Sequence, residues 1–206
     1  MLTCGFKVAV LDFAMGSLVS VATEKLELRQ TMLAKREAMS PQSVALASEQ
    51  IVRNLLQDLG MRKASEVALY ASFRQEVETW ALLDALLSQG KQVYFPRMAH
   101  DEKLVFVPIE KREQLKPGRF SVLEPDPALP AVLLEKLDLI VVPGLAFDPR
   151  GGRLGLGKGY YDRVLKDFQG QSVGLAYDFQ VLSHLPLEAW DKSVDRVFTE
   201  LSVYQK

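Results

Sequence analysis

Residues 148–163 read DPRGGRLGLGKGYYDR. The glycines at 151, 152, 155, 157 and 159 permit positive φ and let backbone N–H groups turn toward one point, which is how a loop cradles phosphate oxygens. Arg153 and Lys158 bring cationic donors to the same place, and a helix starting just beyond the loop adds its positive N-terminal end. The combination fits the phosphate tail of a nucleotide. Gly152 is followed after four residues by Gly157 and Lys158, nearly a Walker A pattern, but Gly159 stands where that pattern needs Ser or Thr. With no loop hydroxyl to hold Mg²⁺, a carboxylate must do so, and Asp162 is the nearest. The dinucleotide pattern GxGxxG fails, because the glycines alternate at 155, 157 and 159 and the strand before them ends well upstream.

Elsewhere the chain offers little covalent chemistry. No Ser/His/Asp or Cys/His constellation is spaced for nucleophilic catalysis, and His100 and His184 read as surface residues in turn-like stretches. The single cysteine, Cys4, forms no internal bridge, and no CxxC or Cys/His cluster suggests zinc, which favours a reducing, cytoplasmic setting. Twenty-five basic and 26 acidic residues leave no net field to attract nucleic acid or an anionic membrane, so neither is an expected partner. A polyanion must therefore be met locally.

The elements that would position the loop follow from periodicity. Residues 24–39 read as a basic amphipathic helix, and 41–59 as a second, with Ser40 as N-cap, Pro41 at the first helical position and Gly60 just past the end. EVALYASF (66–73) reads as a strand and VETWALLDALLSQG (77–90) as a helix stopped by Gly90. KQVYFPRM (91–98) and KLVFVPI (103–109) are further strands, edge-like or strand-terminal at their prolines. A Pro-rich stretch covers 117–130, and LDLIVVPGLAF (137–147) is a buried strand running into the glycine loop, which passes into a helix at about 159–169. QSVGLAYD (171–178) and DRVFTE (195–200) close the pattern as short strands. Strands separated by helices of this length imply βαβ crossovers, hence an α/β fold with a mostly parallel sheet covered by helices. Ligands in such sheets sit at the carboxyl ends of the strands, and the glycine-rich segment lies just beyond one.

With 206 residues, 48% hydrophobic and 25% charged, one domain is the expectation, and such a chain buries roughly 70% of its unfolded surface without disulfides or structural metal. Residues 1–23 stand apart as an N-terminal extension ahead of a domain spanning 24–206. Lys7 followed by an apolar run resembles a secretory signal, but Asp12 interrupts the run, no A-x-A site follows, and it is too short to span a bilayer.

PGLAFDPRGGRLGLGKGYYDRVL (143–165) resembles the signature segment of the 5-formyltetrahydrofolate cyclo-ligase family, also called methenyltetrahydrofolate synthetases. KLELR (25–29), QEVETW (75–80) and WDKSVDRVFTE (190–200) agree in order and spacing, so the resemblance covers about residues 24–200. It implies a three-layer α/β domain that uses MgATP to close 5-formyltetrahydrofolate into 5,10-methenyltetrahydrofolate, releasing ADP and phosphate. The implied route phosphorylates the formyl oxygen, lets N10 attack the activated carbon, and expels phosphate. Such chemistry needs positioning and charge neutralisation rather than a protein nucleophile.

Carried over residue by residue, the resemblance places Lys25 and Arg29 on ATP, and an i, i+4 spacing puts both on one helix face. Arg153, Leu154, Gly155, Leu156, Gly157, Lys158, Gly159, Tyr160 and Tyr161 would line the triphosphate, with Arg153, Lys158 and Tyr160 as the catalytic set. Leu156 through Tyr160 would also border the folate, together with Ala71 and Glu76, whose carboxylate matches the donor edge of a pterin. Leu156 stands where relatives are expected to carry another residue type, so its backbone matters more than its side chain. Asp162 and Asp191 align with the Mg²⁺ ligands; Asp148, Asp178 and Asp195 are weaker candidates. Tyr70, Phe73 and Trp80 read as core aromatics rather than ring-stacking ligands. The expected state is a monomer. Two rival readings of the glycine loop are a dinucleotide oxidoreductase and a non-catalytic sugar-phosphate or coenzyme-A binding module, and folate-dependent ATP consumption separates them from the cyclo-ligase.

Overall fold

The computed structural model describes residues 20–99, 103–118 and 122–206. Most of the N-terminal extension, with Cys4, and His100 lie outside the described residues. The first helix, α1 (Val21–Glu37), starts three residues before the sequence pattern indicated, because Ser20 is its N-cap and accepts a hydrogen bond from the Thr23 N–H at 3.2 Å. Helix α2 (Pro41–Gln57) begins as expected, with Pro41 in its first turn and Ser40 accepting from the Ser43 N–H at 3.1 Å. Gly60 does not terminate α2. Asp58 closes it and caps a short helix, α3 (Leu59–Lys63), inside which Gly60 is buried. Gly60 thus lies inside a helix, beside the side-chain ends of Gln171 and Arg196, and is not a C-cap.

Strand β1 spans only Glu66–Ala68, not the eight residues that its apolar character indicated. Tyr70 explains the early end: its hydroxyl donates to the Val77 carbonyl at 2.9 Å and its own carbonyl accepts from Thr79 Oγ1 at 2.6 Å. These bonds also hold residues 77–79 out of the following helix, α4 (Trp80–Ser88), which Gly90 follows at φ +75°. Next come β2 (Gln92–Met98) and β3 (Leu104–Pro108), then β4 (Leu115–Pro117) and β5 (Leu123–Pro125), an antiparallel pair that leads into the Pro-rich stretch. Strand β6 (Leu139–Val142) is buried throughout and leads to β7 (Ala146–Phe147) and β8 (Arg153–Leu154), which pair antiparallel. The chain finishes with α5 (Tyr160–Asp167), β9 (Gln171–Leu175), β10 (Arg196–Phe198) and β11 (Val203–Gln205).

Seven strands form one sheet in the order β11-β10-β9-β6-β1-β2-β3. The five central strands run parallel, while β3 and β11 are antiparallel edges, each reached by a connection too short for a crossover. Pro96 sits where β2 has outrun β1 and pairs with β3 alone, so it removes no bond from the parallel ladder. Alternate residues of the central strands face opposite layers. Val67, Val93, Leu139 and Val141 pack with Ile51 and Leu55 of α2 and Leu82 and Leu86 of α4. Ala68, Tyr94, Ile140 and Val142 pack with Val164 of α5. Helix α1 sends Met32 against Leu145, Ala146 and Leu154, so it joins the β7–β8 pair beyond the strand ends. The chain builds outward from β1 through β2 and β3, then returns to its other side with β6. The crevice outside the carboxyl ends of β1 and β6 is thus the topological switch point, the place where open α/β sheets bind ligands.

Candidate active site

A cleft of about 1120 Å³ occupies that crevice. Its walls come from the segment after β1, the turn after β6, the glycine loop with the start of α5, the cationic face of α1 and residues 188–192. Every site residue singled out from the sequence, from Lys25 and Ala71 to Asp162 and Asp191, lines it. Asp148, Asp178 and Asp195 do not. Asp148 is buried and accepts from the N–H groups of Arg150 (2.9 Å) and Gly152 (3.0 Å), shaping the turn before β8. Asp195 ties β9 to the chain before β10 through the N–H and Oγ of Ser172. Asp178 accepts from Thr199 Oγ1. His184 meets Arg150 Nη2 at 3.0 Å outside the cleft.

The glycine loop runs from β8 into α5. Gly157 and Gly159 take φ of +96° and +65°, conformations strained for any residue with a Cβ, and Gly159 is the residue before the first helical turn. Arg29 of α1 supports the loop from outside, its Nε donating to the Gly155 carbonyl at 2.9 Å. Lys158 is exposed at the loop tip, and its side chain makes no hydrogen bond or ion pair among the described residues. Arg153 lies beneath the loop, almost wholly buried, with Nη2 on Asp162 Oδ1 at 3.0 Å and Nη1 on the Pro143 carbonyl at 3.3 Å. Its Nε is the one buried side-chain polar atom among the described residues without a hydrogen-bond partner. An orphaned donor of this kind marks a site whose polar groups are not all matched by the protein itself.

Carboxylates face these cations. Lys25 is buried, with Nζ 2.6 Å from Glu188 Oε2 and 2.5 Å from Asp191 Oδ2. Burial works to lower its pKa, but the hydrogen bonds and charges of Asp191 and Glu188 outweigh it and hold the ammonium above its ordinary value. Asp191 Oδ2 also accepts from the Glu188 N–H, and Asp162 Oδ1 from the Lys192 N–H. Each aspartate therefore spends one oxygen on protein donors and leaves the other uncommitted. No cluster of three or more His, Cys, Asp or Glu side chains suited to a metal occurs among the described residues. The donor set fits Mg²⁺, which takes one or two protein carboxylates and fills its octahedron with phosphate oxygens and water.

Glu76 lines the same cleft from the segment after β1. Burial raises its carboxyl from an ordinary 4.5 to about 7, against the opposing pull of the Arg36 guanidinium and the Phe73 N–H. Phe73 N–H donates to Glu76 Oε2 at 3.2 Å, and Arg36 Nη1 lies 3.6 Å from Oε1. Ala71 and Tyr70 line the wall beside it. Trp80 points elsewhere, stacked on Phe95 with Arg112 over its face.

The sequence profile of the 5-formyltetrahydrofolate cyclo-ligase family matches residues 21–200. The chain belongs to the 5-formyltetrahydrofolate cyclo-ligase family. The 5-formyltetrahydrofolate cyclo-ligase of Haemophilus influenzae is 37% identical over 177 residues, which cover 83% of this chain and 91% of that protein. The solution structure of the 5,10-methenyltetrahydrofolate synthetase of Aquifex aeolicus superposes with a TM-score of 0.80 at 38% identity, covering 88% of this chain and 92% of that one. A second synthetase structure, from Mycoplasma pneumoniae, gives a TM-score of 0.71 at 25% identity over 86% of this chain and 99% of its own.

Glu188, which lines the cleft, and Arg36, which reaches Glu76 from outside it, escaped the sequence reading. Glu188 has no motif to announce it, since only the fold brings it to Lys25. Arg36 did leave a signal: positions 25, 29, 32 and 36 follow the i, i+4, i+7, i+11 rhythm of one helix face, with Met32 buried among the cations.

Proposed function

We propose that this protein closes 5-formyltetrahydrofolate to 5,10-methenyltetrahydrofolate at the expense of ATP, with Mg²⁺, releasing ADP and phosphate. The observation that carries this reading is one continuous cleft lined both by a desolvated carboxylate, Glu76, and by a cationic glycine loop. A pterin offers paired N–H donors that a carboxylate accepts, and a triphosphate asks for converging N–H groups and cations.

In this reading the formyl oxygen takes the γ-phosphoryl group of ATP with release of ADP, N10 bonds to the formyl carbon and gives up its proton to solvent, and the C–O bond breaks with phosphate as leaving group to leave the cyclic amidinium. Glu76 and Ala71 fix the pteridine, so that the formyl group and N10 are held in reacting geometry. Lys158, with no side-chain partner among the described residues, neutralises charge on the transferred phosphoryl group, and Arg153 does so from beneath the loop. Tyr160 and Tyr161 open α5 beside them, and the backbone of 154–159 lines the triphosphate. Arg29 keeps the loop in shape through the Gly155 carbonyl and, with Lys25, presents the cationic face of α1. Asp162 and Asp191 would hold Mg²⁺ through their uncommitted oxygens, and the ion would screen the repulsion among the phosphates. Lys25 then leaves Asp191 for a phosphate oxygen, exchanging one anion for another at little cost in charge.

ATP consumption measured with and without 5-formyltetrahydrofolate tests the proposal. Release of ADP and phosphate in step with methenyltetrahydrofolate is the expected result. Folate-independent ATP turnover, or none at all, would refute it.

A further inference from the structure

Arg36 reaches the switch point from α1, although it lines no part of the cleft. It is 1% exposed at the end of α1. From there Nε donates to the Arg74 carbonyl at 2.9 Å, Nη1 to the Gly144 carbonyl at 3.4 Å, and Nη1 stands 3.6 Å from Glu76 Oε1. One guanidinium thus connects α1, the segment after β1 and the turn after β6, the last two being the walls of the crevice.

The backbone it holds is strained. Arg74 and Gln75 take φ of +48° and +53°, two successive left-handed residues with side chains, immediately before Glu76. Such conformations persist only where surrounding contacts over-determine them. Here both carbonyls are anchored, that of Arg74 by Arg36 and that of Gln75 by the Tyr177 hydroxyl at 3.1 Å. An ordinary extended path would carry Glu76 away from the Phe73 N–H and out of register with the cleft.

We infer that Arg36 is a positioning residue for the folate end of the site: it fixes the strained 74–75 turn and holds Glu76 in place while touching neither substrate nor nucleotide. The inference rests on the reading that Glu76 receives the pterin. The other titratable groups facing Glu76 are Tyr70, after β1, and Tyr161, in α5. Both are phenols whose pKa lies above ordinary, so neither supplies charge near neutrality, and Arg36 is the cation that favours the carboxylate.

The test is equilibrium binding of 5-formyltetrahydrofolate without ATP, and of MgATP without folate, from pH 6 to 9 for the parent, Arg36→Gln, Arg36→Lys, Glu76→Gln and Arg36→Gln/Glu76→Gln. Losing a cation this close moves a carboxyl upward by about one to three pH units. Arg36→Gln should therefore bind folate at least about tenfold more weakly at pH 7 and recover part of that on going to pH 9, with MgATP binding within about twofold of the parent. Arg36→Lys should retain the pH profile of the parent but not its full affinity, since it keeps the charge and loses the Nε bond to Arg74. The double variant should be no weaker than Glu76→Gln by more than about twofold. A pH profile for Arg36→Gln parallel to the parent's, additive losses in the double variant, or equal loss of folate and MgATP would overturn the inference. If Arg36→Gln fails to fold, the Lys variant decides, and full parental affinity in it counts against the inference. Wild-type folate affinity in Glu76→Gln would instead remove the reading of Glu76 on which the inference stands.

Discussion

Replacing Glu76 by glutamine should change how stability depends on pH, by an amount the structure sets. The carboxyl is buried and its pKa stands at about 7 in the folded chain against an ordinary 4.5, so between those values the folded state binds more protons than the unfolded one. Folding stability therefore falls as pH rises through this window, because ionising the buried group costs more than ionising the exposed one. The gap, at about 1.4 kcal/mol for each pH unit, amounts to about 3 kcal/mol that the parent loses between pH 4.5 and 7 and glutamine does not. Arg36 keeps its charge in both proteins and every other titrating group is shared, so the difference between the two isolates Glu76. Urea unfolding of both proteins at half-unit intervals from pH 4.5 to 8 is the assay. The stability of Glu76→Gln relative to the parent should climb by about 3 kcal/mol across the window and level off above it. Parallel stability curves would mean that Glu76 titrates normally and is not desolvated as described. A relative stability that moves the other way would mean that Arg36 holds the carboxyl below its ordinary value, and the burial argument would be refuted.

Three further outcomes follow from the cleft. Lys158→Ala should raise KM for ATP or lower kcat by roughly 10- to 150-fold, the loss of a charge-assisted hydrogen bond of about 1.5–3 kcal/mol, with Tm unchanged because the side chain is exposed; steady-state kinetics with thermal denaturation check both parts. Asp162→Asn and Asp191→Asn should each raise the Mg²⁺ concentration for half-maximal turnover several-fold. Asp191→Asn should also lower Tm, since it leaves buried Lys25 with Glu188 alone. Mg²⁺ titration curves identical to the parent's would place the metal elsewhere. Deleting residues 1–19 should leave turnover and Tm intact, whereas a cut at 22 removes the Ser20 cap of α1 and should cost about 1 kcal/mol, read by urea unfolding.

Local chemistry was written in the sequence. The glycine loop, its cations, the i, i+4 placement of Lys25 and Arg29, and the cap at Ser40 are legible because a turn, a helix face or a cap is decided by residues within a few positions of one another. Periodicity likewise carried the alternation of helix and strand, and with it the parallel centre of the sheet. What it could not carry was where β1 stops. EVALYASF is apolar to its end, yet Tyr70 leaves the ladder to bond with Val77 and Thr79, opening the crevice in which the site lies. The pairings that set the electrostatics are non-local in the same way: Lys25 meets Glu188 and Asp191 across more than 160 residues, and Arg36 reaches Glu76 and Gly144 from another layer. Sequence fixes which groups are ionisable and which backbone can turn. The protonation of Glu76, the burial of Arg153 and the uncommitted oxygens of Asp162 and Asp191 were decided only by tertiary packing, because desolvation and hydrogen-bond competition depend on neighbours brought together by the sheet.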